Sequence, residues 1–322
     1  MDPGVNGEPH VAVIVPCYNE EVAIARVVGD LRQALPGAAV YVYDNASTDR
    51  TAQVAAEAGA IVRRETRRGK GNVVRRAFAD VNADIYAMID GDDTYDATAL
   101  PGMVDVLRAE CLDHVLGVRT PSDEASAYRP GHASGNRMFN RLVGGLFGEK
   151  VGDMLSGCRV MSHRFVKSFP ALSREFETET ELTIHCMNLR VPQAEVPVGF
   201  RDRPAGSESK LRTVHDGVRI LRLVAALVQH ERPLQFYSII AGVFALAAIG
   251  FAVPMFWGFA TTGLARTPTA VLASSLMIVA MLSFVVALVL NALQRARQEA
   301  ARLAYLRYPA PPPPDSTAIV AD

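Results

Sequence analysis

Cysteine is scarce in this chain. Four occur in 322 residues, Cys17, Cys111, Cys158 and Cys186. No two have CxxC spacing, and none forms a zinc-like pattern with a histidine. This argues against a disulfide framework and for a reducing compartment, with each cysteine a small buried apolar residue. Net charge is nearly absent too: 33 Lys and Arg stand against 34 Asp and Glu, giving −1. No global field favours nucleic acid or anionic lipid, so any anion site is local. The acidic start, Met1 to His10, lacks an apolar core, and no signal peptide is expected there. Tryptophan occurs once, as Trp257.

What is present is order along the chain. Residues 11–15, VAVIV, form an apolar β-branched run that suits a strand buried on both faces. Residues 20–35 carry a helical pattern stopped by Pro36-Gly37. Residues 39–43 form a second strand ending at Asp44, and Ser47 or Asp49 is placed to cap a helix through Ala58. A short strand at Ile61 to Arg63, a helix from Gly69-Lys70-Gly71 to Val81 and a strand at 84–89 follow. This alternation predicts an α/β fold with a mostly parallel, Rossmann-like sheet and ligands at the carboxyl ends of the strands. Beyond 114 the pattern is less regular. We expect a polar loop at 120–136, helices at 135–147 and 176–189, and a strand at 194–200.

The last third differs. Residues 236–259 and 268–294 contain no charge, and each exceeds the ~20 residues that cross a bilayer. Arg219, Arg222 and Arg232 precede the first run; Arg295, Arg297, Arg302 and Arg307 follow the second. The positive-inside rule then places both flanks in the cytoplasm. The expected organisation is a flexible start at 1–9, an α/β domain at 10–212, an amphipathic juxtamembrane segment at 213–233, a two-helix anchor at 234–294, and a basic then Pro-rich tail at 295–322.

The sharpest chemical signal is Asp90-Gly91-Asp92-Asp93, placed where a buried strand ends. Clustered carboxylates repel unless a cation or proton neutralises them, and a divalent ion bridging phosphates fits. Asp44 ends another strand at the same crevice. Pro16-Cys17-Tyr18-Asn19-Glu20 follows the first strand and offers nucleotide contacts. The basic, glycine-rich Arg67-Arg68-Gly69-Lys70-Gly71 at a helix start suits an anion, although it lacks the Walker A spacing.

Taken in order, VIVPCYNE, DNASTDRT, GKGNVVRRAF and YAMIDGDDTYD resemble the family-2 glycosyltransferases of GT-A fold. The branch that the sequence is most similar to acts on polyprenyl phosphates, as dolichol-phosphate mannose synthases and bacterial undecaprenyl-phosphate glycosyltransferases do. The resemblance covers roughly residues 10–212, and the two C-terminal runs match membrane-anchored members. It implies that Pro16, Tyr18, Glu20, Asp44, Lys70 and Asp90 hold the donor nucleotide, and that Asp90 and Asp92 hold Mg²⁺ or Mn²⁺. It implies Asp153, with Asp92, as the catalytic pair, Asp153 orienting or weakly basic. Ser156, Arg159, Arg119, Arg137 and Lys210 fall where the family places acceptor-phosphate contacts. Asp93 and Thr94 replace the usual Gln or Pro, which leaves a third metal ligand open. FETETEL leaves open which of Glu177, Glu179 and Glu181 faces the site.

The activity so implied is inverting transfer of a sugar from a UDP- or GDP-sugar to a polyprenyl phosphate at the cytoplasmic face of a plasma or inner membrane. The partners are the nucleotide sugar, the lipid and the bilayer; no nucleic acid is expected, and a homo-oligomer stays open. Two alternatives stay open. One is transfer to a hydroxyl acceptor, although the QxxRW motif of processive synthases is absent. The other is a non-catalytic membrane scaffold with a nucleotide-binding fold.

Overall fold

A computed structural model describes residues 9–121, 144, 152–172, 178–201, 203, 228–264 and 266–311. The chain divides into two compact units. One holds residues 1–212 with 301–322, the other residues 213–300.

The first unit begins as the alternation predicts. Strands β1 (Val11–Cys17), β2 (Ala39–Asp44), β3 (Ile61–Arg64) and β4 (Ile85–Met88) alternate with helices α1 (Ile24–Ala34), α2 (Thr51–Glu57) and α3 (Lys70–Asp80). Helix α4 (Leu100–Ala109) leads to β5 (His114–Pro121). Then come β6 (Arg159–Ser162), α5 (His163–Ser168), α6 (Thr178–Leu189) and β7 (Gln193–Phe200). The seven strands lie in the order β3-β2-β1-β4-β6-β5-β7. β1 to β4 pair in parallel, β6 runs antiparallel to both β4 and β5, and β5 pairs in parallel with β7. Six strands therefore share one direction, and their carboxyl ends open on one edge.

The unbroken apolar run of β1 is explained by its two faces. Val13 and Val15 enter a core with Ile24, Val27, Val28 and Leu31 of α1. Ala12 and Ile14 enter a second core with Val73, Val74 and Phe78 of α3. Val13, Ile14 and Val15 are fully buried, each contributing about 1.5–3 kcal/mol relative to exposure. The α1 positions recur at i, i+3, i+4 and i+7, one helical face.

Two local expectations change. Asp49 Oδ1 accepts from Thr51 N at 3.0 Å, so it serves the start of α2, but Ser47 Oγ instead accepts from Asn19 N at 3.0 Å and ties two crevice loops together. The strand pair β5–β6 went unread because Arg159-Val160-Met161-Ser162 is too short to show a period. The predicted 135–147 helix and most of the 120–136 loop lie outside the described residues.

Residues of the C-terminal stretch belong to this unit as well. Tyr305 is buried, and its hydroxyl donates to Asp113 Oδ2 at 2.7 Å. Asp113 is fully buried and also accepts from Ser162 Oγ and from the Arg164 fork, each at 2.6 Å.

The second unit is built on helices α7 (Pro233–Thr262) and α8 (Thr267–Tyr305, whose last turn falls in the first unit). Both are long and apolar enough to cross a membrane, with mean hydropathy 2.4 and 2.7 over their most apolar windows. Most of their large apolar side chains are exposed, whereas Ala241 and Ala248 on one helix and Ala273, Ala280 and Ala287 on the other are buried. Small residues spaced by seven allow close helix approach in lipid.

Candidate active site

The carboxyl edge of the sheet gathers most of the expected residues. Pro16 lies in the last two residues of β1 and Asp44 ends β2; Tyr18 and Glu20 follow β1; Asp90 and Asp92 follow β4. Close approach is built into this edge. A Cβ at Gly91 would lie 2.3 Å from Cys17 Sγ, and one at Gly157 would lie 2.3 Å from Asp90 Oδ2. Only glycine lets the 156–158 segment press against the acidic turn.

Asp44 is buried; its Oδ1 accepts from Ser47 N at 3.1 Å, which shapes the turn after β2. Glu20 is also buried, and its N–H donates to Thr51 Oγ1 at 2.8 Å. The Tyr18 ring lies under the Arg68 guanidinium, 4.9 Å from its centre. Asn45, beside Asp44 in the turn after β2, braces the basic loop. Its side-chain nitrogen donates to Arg67 O at 2.7 Å, and its oxygen accepts from Gly69 N at 2.7 Å. Gly69 adopts φ +119°, a backbone that other residues rarely take, and hands the chain into α3 at Lys70.

Each carboxylate of the acidic pair faces a cation. Lys70 Nζ lies 2.5 Å from Asp90 Oδ1 and also contacts Glu179 Oε1. Burial pulls the Lys70 pKa down, but the charges and hydrogen bonds of Asp90 and Glu179 outweigh it and hold it well above its ordinary value. Arg203 Nη2 lies 2.6 Å from Asp92 Oδ2, and Asp92 Oδ1 accepts from Thr94 Oγ1 at 2.6 Å. Burial and then the charge of Asp90 push the Asp92 carboxyl up, while Arg203 and Thr94 oppose them. This crowded pair, whose Lys70 is shared with a third carboxylate, fits a hard divalent cation. Among the described residues no group of three His, Cys, Asp or Glu gathers as a metal cluster. Asp93 is committed elsewhere: it sits at φ 59° and pairs with Arg201 and, at 3.4 Å, with Arg26 of α1.

On the β5 side, Arg119 forks onto Asp153, Nε to Oδ2 at 2.6 Å and Nη2 to Oδ1 at 2.8 Å. The guanidinium also lies over the Phe200 ring. Tyr95, in the motif after β4, accepts from Gly157 N at 2.8 Å and locks the 156–158 segment to the acidic loop.

Two expected phosphate contacts are corrected. Arg159 is fully buried, and its guanidinium is spent on Ser156 O, Met154 O, Glu179 O, Thr183 Oγ1 and the His114 ring. It braces helix α6 against the 153–156 turn and presents no donor to a phosphate in this arrangement. Ser156 is fully buried too, its hydroxyl donating to Gly117 O at 2.5 Å. A fully buried side chain is unreadable from motif position alone. Arg137, Lys210 and Glu177 lie outside the described residues. Of the two described glutamates, Glu179 faces Lys70, whereas Glu181 accepts from Leu172 N.

Comparison with known proteins identifies the family and the fold. Residues 12–169 match the family described as Glycosyl transferase family 2. Glycosyltransferase AglJ of Haloferax volcanii is 33% identical over 76% of this chain and 80% of its own. The dolichyl-phosphate hexose transferase of the same organism is 30% identical over 69% of this chain and 95% of its own. The fold is shared with glucosyl-3-phosphoglycerate synthase from Mycobacterium tuberculosis, solved in complex with Mn²⁺, UDP-glucose and phosphoglyceric acid. That match has a TM-score of 0.55 and 23% identity, and covers 69% of this chain and 79% of that one.

Proposed function

Because this chain belongs to glycosyl transferase family 2 and is a hexosyltransferase of GT-A fold, we propose that it transfers a hexose from a nucleoside-diphosphate sugar to a polyprenyl phosphate with inversion. The observation that carries the reading is the pairing of Asp90 with Lys70 and of Asp92 with Arg203 at the carboxyl end of β4. Carboxylates and cations alternate there, the pattern that a metal-bound diphosphate needs. Asp90 and Asp92 would hold Mg²⁺ or Mn²⁺, which when bound neutralises the leaving diphosphate. Lys70 and Arg203 stand ready to donate to phosphate oxygens. Asp44, Glu20, Tyr18 and Pro16 border the nucleotide side.

The acceptor assignment rests on two supports. The first is the state of Asp153. Both its oxygens are engaged by the Arg119 fork, whereas a hydroxyl acceptor would need an available base. A phosphate monoester, with its second pKa near 6, is largely dianionic at pH 7 and attacks without a strong base. The second is the company of two membrane-length helices and of a relative whose name specifies dolichyl phosphate. Arg119, Arg137 and Lys210 are proposed to meet that second phosphate. The arginines flanking the spans favour a catalytic unit on the cytoplasmic face of a plasma or inner membrane.

The test is incubation of the detergent-solubilised chain with labelled UDP-, GDP- and dTDP-sugars, Mn²⁺ or Mg²⁺, and undecaprenyl phosphate. Label entering the organic phase only when the lipid phosphate is present supports the reading. Transfer to a hydroxyl acceptor alone would overturn it.

A further inference from the structure

One buried carboxylate is not used by that reading. Glu179, in the first turn of α6, is 5% exposed. Its Oε1 pairs with Lys70, while its Oε2 has no hydrogen-bond partner among the described residues. Two other buried carboxylates of this unit are more fully paired. Asp113 is held by Arg164, Ser162 and Tyr305, and Asp153 by the Arg119 fork. An ionised carboxylate withdrawn from water costs several kcal/mol unless well paired. Here the pairing is one lysine, itself shared.

Both members of the pair are held by their backbones. Arg159 donates at 3.0 Å to the main-chain oxygen of Glu179 and at 2.9 Å to Thr183 Oγ1, one turn on. Asn45 fixes Gly69, the residue before Lys70. The two carboxylates that share Lys70 differ in access: the Asp90 side chain is 28% exposed and that of Glu179 is 6%. Asp90 is open to ions from the crevice; Glu179 is sealed.

We infer that Glu179 is a positioning residue that retains Lys70 at the donor crevice and so frees Asp90 to exchange that lysine for a divalent cation. The inference rests on the proposed reading of Asp90 and Asp92. The ammonium has three N–H donors and one charge, shared between two carboxylates. With a cation held at Asp90, Lys70 would give up the Asp90 oxygen it uses here. Glu179 keeps the ammonium in place, and its unpartnered Oε2 offers the acceptor that Asp90 withdraws. Lys70 then remains beside the diphosphate as a second positive group. Without the Glu179 charge, Lys70 would have Asp90 as its one ionic partner and would compete with the cation for it.

The experiment measures Mn²⁺ binding directly, by the EPR signal of the free ion, on the full detergent-solubilised chain. Glu179→Gln keeps the shape and removes the charge. We expect it to weaken Mn²⁺ binding about tenfold. Removing the competitor as well, in Lys70→Gln with Glu179→Gln, should restore Mn²⁺ binding to the wild-type level or better. The same double variant should still bind UDP at saturating Mn²⁺ about tenfold more weakly, because Lys70 is gone. The double variant takes out both charges of the pair together, so it serves even if Glu179→Gln does not fold. Unchanged Mn²⁺ binding in Glu179→Gln, or weakened binding that the second substitution does not relieve, would overturn the role. A wild-type chain that binds no Mn²⁺ would instead overturn the reading of Asp90 and Asp92 beneath it.

Discussion

Arg119 and Asp153 form a two-point ion pair, 2.6 and 2.8 Å long, in which the Asp153 side chain is 4% exposed. Truncating one side strands a buried charge. Arg119→Ala should destabilise the α/β unit by about 3–5 kcal/mol, the usual cost of leaving such a partner alone. Arg119→Lys keeps the charge but loses the fork, and should cost less. Urea denaturation followed by circular dichroism checks both. A loss below about 1 kcal/mol for Arg119→Ala would show that the pair is not what holds Asp153.

Asp92 lies at the carboxyl end of β4 with Arg203 and Thr94 on its two oxygens. Asp92→Asn keeps the shape and removes the charge. We expect kcat to fall a hundredfold or more, about 3 kcal/mol of transition-state stabilisation, with excess EDTA producing a like loss in the wild type. Full activity in EDTA would reject a metal on this pair.

The hydroxyl of Tyr305 donates to Asp113 at 2.7 Å, and its ring lies beneath Arg164, 4.6 Å from the ring centre. Tyr305→Phe keeps the ring and deletes one bond to a charged, buried acceptor. That should cost about 1.5–3 kcal/mol. In a unit of this size Tm should fall about 2–4 °C per kcal/mol. Scanning calorimetry of the solubilised chain measures it, and activity per folded molecule should hold.

Two buried histidines set a pH dependence. Burial, joined by the charge of Arg159, holds His114 down to about 3, and burial holds His185 down to about 4. Both are neutral in the folded chain. Above the ordinary value near 6.5 they add no pH dependence. Below it the unfolded chain takes up protons that the fold refuses, so stability falls as pH drops. Each histidine contributes up to about 1.4 kcal/mol per pH unit until its folded pKa is reached. His185→Gln removes one of them. Its urea-unfolding free energy should then decline less steeply from pH 6.5 to 4.5, by about that slope. An unchanged slope would place His185 in contact with water.

The strands that carry the site were legible because each is a short apolar run ended by an acidic or polar turn: VAVIV before Pro16, AVYVY before Asp44, DIYAMI before Asp90. Buried parallel strands need continuous apolar residues, and their ends need none. What stayed hidden was partnership. The motifs place Arg119 and Asp153 in separate roles, one for phosphate and one for orientation, and the two hold each other. Arg159 and Ser156 sit in a motif segment; Arg159 is buried as the first residue of β6, inserted antiparallel between β4 and β5, and Ser156 is buried against Gly117. A four-residue strand leaves no periodic trace. Asn45, Tyr95 and Glu179 act through side chains that arrive from distant points of the chain, and distance along the sequence carries no sign of that contact. The two membrane-length helices were legible from the absence of charge alone.

The most direct measurement concerns the bond made. Label is transferred from a nucleotide sugar to undecaprenyl phosphate, the lipid is extracted, and the product is held in mild acid. A glycosyl phosphate releases its sugar under those conditions, and that release is the expected result, lost together with transfer in Asp92→Asn. A lipid-linked product whose sugar stays attached in mild acid would contradict the polyprenyl-phosphate acceptor.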